Sequence, residues 1–239
     1  MIYQYAYNIS EITNIRDVCD LYDLISDERK EKIIKYHFDK DKLHSMFAEV
    51  ILRYALWERY GLKDLVIQKN EYGKPYLVNN KDIYFNLSHS GDWVLCGVGD
   101  ENLGIDVEQI DDIELSVAEE FFTKEESDYL FTLNENDRII AFYKIWTLKE
   151  SYIKNVGEGL SIPLNSFMFK NEDNNIKIYI QGKKDDNYSF LIRSLDEQHS
   201  MSLCVTGEID NMINNNFTIL TLEEIMRWKK LYHTNLTTL

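Results

Sequence analysis

Residues 142–154 read "FYKIWTLKESYIK", and one acid in that stretch raises a problem that the rest of the chain has to solve. At helical spacing Ile139, Phe142, Tyr143, Trp146, Ile153 and Val156 form a single apolar stripe, which predicts a helix from about Asp137 to Val156. Glu150 falls inside the stripe, four residues after Trp146 and three before Ile153. A carboxylate placed there costs several kcal/mol unless it is paired or bound to a metal. The helix itself offers two ion-pair partners, Lys149 beside Glu150 and Lys154 one turn further on, and a metal is the third possibility.

A second pair of acids lies upstream in "LGIDVE", residues 103–108. The strand period of two turns Ile105 and Val107 to one face and Asp106 and Glu108 to the other. Two neighbouring carboxylates repel, so a cation is expected between them, unless the pair lies on the solvent face of an edge strand. If Asp106, Glu108 and Glu150 converge, they form a hard, all-oxygen site for Mg²⁺ or Mn²⁺, with positions open to water and a phosphate. Lys154 would then point toward the same site as a phosphate partner.

Around these motifs the chain reads as helix, strands, helix, strands. Ser26 is an N-cap followed by Asp27 and Glu28, and a longer helix carries Leu43, Met46, Phe47, Val50, Tyr54 and Trp57, with Gly61 placed to stop it. "NEYGKPYL" is a turn, and "DIYFNLS", "WVLCGVG" and "LGIDVE" are strands. Thr123 and Glu126 form a capping box, and strands return at "FMFK", "IKIYI", "YSFLIRSL" and "MSLCVTG". The stretches "HSGDWVLCGVG" (89–99) and "HSMSLCVTG" (199–207) share His-Ser and Leu-Cys. The expected fold is therefore α+β, with two similar halves, 1–103 and 104–239, in a pseudo-two-fold arrangement.

Composition narrows the classes of function. With 239 residues, 44 % of them hydrophobic, only two prolines and no Gly/Ser/Pro-rich linker, the halves should share a packed core. A net charge of −15 argues against a nucleic-acid surface, so any anionic ligand must be held by a local concentration of basic groups. The start "MIYQYAYNIS" lacks a basic and an apolar leader region, and no apolar run approaches the roughly 18 residues of a membrane span, so a soluble, cytoplasmic protein is expected. Cys19, Cys96 and Cys204 are widely spaced and read as reduced thiols, the last two on strands.

"YGKP", "FNLSHSG", "GIDVE" and "WTLKESYIKNVGEGL", in that order, resemble the successive motifs of the surfactin-synthetase-type 4′-phosphopantetheinyl transferases. The likeness runs from "ISDERKEK" near residue 25 to "SIPLNSF", which ends at residue 167. "GIDVE" alone is a weak signal, but followed by Trp-x-x-Lys-Glu-x-x-x-Lys-x-x-Gly from Trp146 it is specific. The resemblance implies an enzyme that moves phosphopantetheine from coenzyme A to a serine of an apo carrier protein, peptidyl or acyl, and releases adenosine 3′,5′-bisphosphate. It implies Asp106, Glu108 and Glu150 as Mg²⁺ ligands, Lys154 on the pyrophosphate, and Glu150 or, second, Glu108 as the base. It also implies Ser88 and His89 at the coenzyme A phosphates, and Gly73, Lys74 and Pro75 along the nucleotide, the lysine supplying charge. Arg29 and Lys32 match groups for the 3′-phosphate, and His44 stands where the family usually has an arginine. Carrier docking would involve "IELSVAEEFFTKEESDYL" (113–130), with Phe121, Phe122 and Lys124, and a monomer is expected. Without the motifs, His89 reads as a structural histidine and Lys154 as a solvated lysine. Two further readings use the same acids: a metal-dependent phosphohydrolase, and a carrier-docking module of the same fold without catalysis.

Overall fold

The computed structural model describes residues 1–114, 116–173, 175–208 and 213–234. In chain order the first elements are β1 (Ile2–Asn8), α1 (Asp27–Lys35), α2 (Asp39–Tyr60), β2 (Ile67–Lys69), β3 (Pro75–Leu77), β4 (Tyr84–Ser90) and β5 (Trp93–Gly99). There follow β6 (Leu103–Gln109), α3 (Ser116–Phe121), α4 (Lys124–Thr132), α5 (Glu135–Val156), β7 (Phe167–Glu172), β8 (Asn175–Ile180) and β9 (Lys183–Asp185). The last are β10 (Tyr188–Asp196), β11 (His199–Thr206), β12 (Ile213–Ile219) and α6 (Leu222–Thr234).

Local chemistry sets the helix boundaries. The Ser26 hydroxyl accepts from the Arg29 amide at 3.2 Å to open α1, and Thr123 and Glu126 cap α4 reciprocally. The two 22-residue helices, α2 and α5, each run into a left-handed glycine, Gly61 and Gly157.

The expected α+β fold with two similar halves is the one observed. β1, β5 and β4 lie side by side and antiparallel, with α2 packed on β5. β6, β11 and β10 repeat that arrangement, with α5 packed on β11 and β6. Period-two alternation then sorts the side chains. Leu95 of β5 and Leu203 of β11 meet in a core shared by the halves, with Ile2, Ala6, Ile105 and Val107. Cys96 faces the core under α2, and Cys204 the core under α5. The Leu-Cys pair therefore occupies equivalent places in the two halves. The His-Ser pair does not, because His89 and Ser90 end β4 whereas His199 and Ser200 open β11.

The strand β12 returns to pair parallel with β1, and α6 sets Trp228 against Tyr54 and Trp57 of α2. Sequence reading assigns neither β1 nor this return. β1 is buried along nearly its whole length, so it shows no alternation of polar and apolar residues. No helix among the described residues is long and apolar enough to cross a membrane.

Candidate active site

β4 and β6 are edge strands of separate sheets, and side chains stand in for a backbone ladder between them. The Ile105 amide donates to Asn86 Oδ1 at 2.9 Å, the Val107 amide to Ser88 Oγ at 3.3 Å and the Gln109 amide to Ser90 Oγ at 3.0 Å. The serines pass these contacts on to the acids: Ser88 donates to Asp106 Oδ1 at 3.0 Å and Ser90 to Glu108 Oε2 at 2.9 Å. Three polar residues at period two on β4 thus fix the strand that carries both carboxylates.

α5 is seated on the same strand by Gly104. A Cβ there would lie 2.1 Å from the Ser151 carbonyl oxygen and 2.4 Å from the Asn155 nitrogen, so only glycine lets the helix backbone approach this closely. The C-terminal end of α5 is tied down by Asn155, whose amide donates to the carbonyls of Asn102 at 2.9 Å and Cys204 at 3.2 Å. Glu150 and Lys154 are thereby held over Asp106.

Neither helical neighbour pairs with Glu150. Lys154 Nζ lies 2.5 Å from Asp106 Oδ1 and 2.9 Å from Ser88 Oγ. Lys149 is 0 % exposed and points the other way. Its Nζ lies 2.8 Å from Glu126 Oε2, donates to the carbonyls of Leu164 at 2.9 Å and Phe167 at 2.7 Å, and stands 4.6 Å from the Phe167 ring centre. Glu150 receives no hydrogen bond or ion pair from any described residue.

Among the described residues no three His, Cys, Asp or Glu side chains stand at ligand spacing, and in this arrangement Lys154 occupies one oxygen of Asp106. The donor set nonetheless fits a hard dication. Asp106 Oδ2 is buried without a partner. Burial, then the charge of Asp106, pushes Glu108 up to about 7. The same two causes, in the same order, raise Glu150. Burial also raises Asp106, against the pull of Lys154. Three acids that burial and mutual repulsion drive toward protonation are a set that Mg²⁺ would relieve.

The basic groups gather on the first half of the chain. Arg29 donates to Glu49 Oε2 and Ser45 Oγ, each at 3.2 Å. His44, next to Ser45, donates from Nε2 to the Gly91 carbonyl at 2.9 Å and stacks on His89, with ring centres 4.6 Å apart. Desolvation in this stack, then the charges of His44, Lys154 and Lys32, pushes His89 down to about 4. Burial also lowers His44, so both rings are neutral near pH 7. Arg29, Lys32, His44 and His89 are thus brought together, and His89 adjoins Ser88 at the acids.

Gly73, Lys74 and Pro75 line a cavity of about 300 Å³ together with Asn86, Glu150 and Lys154. The charge of Lys74 is used differently from the sequence expectation. Its Nζ donates to Asn102 Oδ1 and the Asn155 carbonyl, both at 2.7 Å, joining the turn to the C-terminal end of α5, and burial lowers it to about 8. That ammonium braces the turn against the end of α5. The two aromatic residues of the 113–130 segment differ in setting, Phe122 being buried and Phe121 half-buried. Phe122 is core, stacked on Phe142, and Phe121 packs edge-on against Trp146. A larger groove of about 580 Å³ lies between α4, α5 and β7, on the Glu126 side of α5, away from the acids.

Residues 14–99 match the family described as 4′-phosphopantetheinyl transferase, N-terminal, and residues 102–204 match the 4′-phosphopantetheinyl transferase superfamily. The chain is 34 % identical over 203 residues to the 4′-phosphopantetheinyl transferase gsp of Aneurinibacillus migulanus, covering 84 % of both proteins. It is 33 % identical over 205 residues to the 4′-phosphopantetheinyl transferase Sfp of Bacillus subtilis, covering 84 % of this chain and 90 % of that protein. The chain belongs to the surfactin-synthetase-type 4′-phosphopantetheinyl transferases. A more distant relative, the L-aminoadipate-semialdehyde dehydrogenase-phosphopantetheinyl transferase of Xenopus laevis, is 28 % identical over 237 residues, covering 84 % of this chain and 78 % of that protein.

In this transferase, sequence reasoning passed over Asn86, Ser90, Asn155 and the Lys149–Glu126 pair. The signal for the first two was present, since Asn86, Ser88 and Ser90 alternate with Phe85, Leu87 and His89 along one strand. No local pattern announces Asn155 or the contact of Glu126 with Lys149, because those partners come from distant segments, whereas the capping box shows only the bond of Glu126 to Thr123.

Proposed function

We propose that this enzyme transfers 4′-phosphopantetheine from coenzyme A to a serine of an apo carrier protein, with Mg²⁺ held by Asp106, Glu108 and Glu150. The observation that carries the reading is the buried acid cluster with Lys154 at its edge, open to the cavity beside the 73–75 turn and holding an unpartnered Asp106 Oδ2. Bound there, Mg²⁺ would neutralise the pyrophosphate and make its phosphorus more electrophilic.

The chain's own groups account for the rest. The carrier serine oxygen forms the new bond to phosphorus as the bond to the bridging oxygen breaks, and adenosine 3′,5′-bisphosphate leaves. The serine proton goes to Glu150, which no described residue engages by a hydrogen bond or ion pair. Lys154, on Asp106 in the free enzyme, swings to the phosphate oxygens of the departing adenosine 3′,5′-bisphosphate. Ser88 and Ser90 hold Asp106 and Glu108 in place. Arg29, Lys32, His44 and His89 grip the nucleotide phosphates, with Gly73 and Pro75 shaping the wall along the nucleotide. Residues 1–103 would form the nucleotide-gripping half and residues 104–239 the half with the acids and α5. Because both halves come from one chain, the enzyme works as a monomer, and we place it in the cytoplasm.

Intact mass of an apo carrier after incubation with enzyme, coenzyme A and Mg²⁺ tests this directly. A gain of about 340 Da, the mass of one phosphopantetheine, that is lost in EDTA is expected. An unmodified carrier with hydrolysed coenzyme A would make the protein a phosphohydrolase instead, and an unmodified carrier bound without turnover would make it a docking module.

A further inference from the structure

β6 carries the acids between two flanking strands, and both flanks present hydroxyls. On the β4 side Ser88 and Ser90 donate to Asp106 and Glu108. On the other side β11 runs antiparallel, with Ser202 opposite Asp106 and Ser200 opposite Glu108. Directly opposed residues of an antiparallel pair point to the same face, with Cβ atoms about 5 Å apart. Met201, Leu203 and Val205 alternate with these serines and enter the core shared by the halves, so Ser200 and Ser202 share the α5 side of the sheet with the two acids.

The two β11 serines are used differently. Ser202 Oγ meets Thr147 Oγ1 of α5 at 2.8 Å, and its hydroxyl is engaged there. Ser200 is 1 % exposed, yet its Oγ has no hydrogen-bond partner among the described residues. A buried hydroxyl without a partner is destabilising, and alanine, of nearly the same size, would avoid that penalty. Across the strand pair stands a carboxylate with acceptor capacity to spare: the bond that Glu108 accepts from Ser90 engages Oε2, and an ionised carboxylate offers about four lone-pair sites. Carboxylates that ligate a metal are themselves held by hydrogen bonds, which fix the orientation they present to the ion.

We propose that Ser200 is a positioning residue for the metal: when Glu108 ligates the ion, its carboxylate accepts from the Ser200 hydroxyl on the β11 side as it accepts from Ser90 on the β4 side. The two hydroxyls then clamp Glu108 from both flanks of β6. This rests on the reading of Asp106, Glu108 and Glu150 as Mg²⁺ ligands, and it gives a use to a buried group that the metal-free protein leaves unpartnered. Ser202, held by Thr147, takes no part in the clamp.

The test pairs a Mn²⁺ titration in the presence of coenzyme A, followed by electron paramagnetic resonance, with urea unfolding in EDTA, on the full chain as wild type, Ser200→Ala and Ser202→Ala. In EDTA, Ser200→Ala should unfold at the same urea concentration as wild type or a higher one, because the hydroxyl it removes has no partner in the metal-free protein. It should nonetheless bind Mn²⁺ about tenfold more weakly, a loss typical of removing a hydrogen-bond partner from a ligand. Ser202→Ala should do the reverse, with a lower urea midpoint because the bond to Thr147 is broken and a Mn²⁺ affinity within about twofold of wild type. Mn²⁺ affinity in Ser200→Ala within about twofold of wild type would overturn the proposal. So would a Ser200→Ala variant that loses Mn²⁺ affinity and metal-free stability together, which would make Ser200 a structural residue of β11. Failure of the metal reading shows differently, as a wild-type protein that takes up no Mn²⁺.

Discussion

Lys149 and Lys154 lie five positions apart on α5, and their surroundings could hardly differ more. Lys149 is sealed between Glu126, two backbone carbonyls and the rings of Phe122, Phe167 and Phe169. Lys154 is part-exposed at the mouth of the acid cluster, where among the described residues its ammonium bonds Asp106 and Ser88. One motif thus supplies the brace that holds α5 to β7 and, a little over one turn later, the cation that faces substrate. Residue type and spacing do not separate the two roles, which depend on what packs against each side of the helix.

The largest effects should fall on opposite properties. Lys149→Met leaves Glu126 buried and unpaired, and urea unfolding should show a loss of about 3–5 kcal/mol. Adding Glu126→Gln should recover part of it. Glu150→Ala removes a side chain to which no described residue makes a hydrogen bond or ion pair, so stability should hold while transfer falls by about 10²–10³. Asp106→Ala should lose transfer to the same degree, although it also removes the acceptor of Ser88 and Lys154. A destabilised Glu150→Ala variant, or a Lys149→Met variant as stable as wild type, would erase the contrast between the two sides of the helix.

The next effect is one of pH. Glu108 is held near 7, above its ordinary 4.5, so the metal-free folded state binds its proton more tightly than the unfolded state does. The stability this contributes is present below about pH 4.5 and lost as pH rises through about 7, amounting to about 3 kcal/mol. Unfolding in EDTA at pH 5 and pH 8 should therefore show wild type losing that much more than Glu108→Gln. Equal pH dependence in the two proteins would mean that the acids are not crowded.

The smallest effects belong to the supporting residues. Ser90→Ala breaks the bond that holds Glu108 and leaves the Gln109 amide without its acceptor, a loss of about 1 kcal/mol in stability. His44, neutral near pH 7, gives the 3′-phosphate no cation, so coenzyme A should be preferred over its dephospho form by less than about tenfold at pH 8 and by more toward pH 6. A strong preference at pH 8 would remove His44 from that subsite.

Much of the site was legible in sequence because its carriers sit on regular elements. Period two placed Asp106 and Glu108 on one face of β6, and the helical stripe singled out Glu150. Reading that stripe as the buried face was only half right. The enclosed positions of α5 include Thr147, Lys149, Ser151 and Asn155, a polar set in which β11 and β7 supply partners for Thr147, Lys149 and Asn155, while Ser151 bonds the Leu148 carbonyl of its own helix. Hydrophobic periodicity cannot find a polar face that other strands satisfy. Lys74 misled in the same way. "GKP" announced the turn, but only the fold shows that the end of α5 captures its ammonium.

The measurement that bears most directly on these contrasts is a Mn²⁺ titration followed by electron paramagnetic resonance, with coenzyme A present, on wild type, Glu150→Ala and Lys149→Met. Wild type and folded Lys149→Met should bind one ion with similar affinity, and Glu150→Ala should bind it about 100-fold more weakly or not at all. Wild-type affinity in Glu150→Ala would contradict the account, because the unpaired acid of α5 would then have no metal to hold.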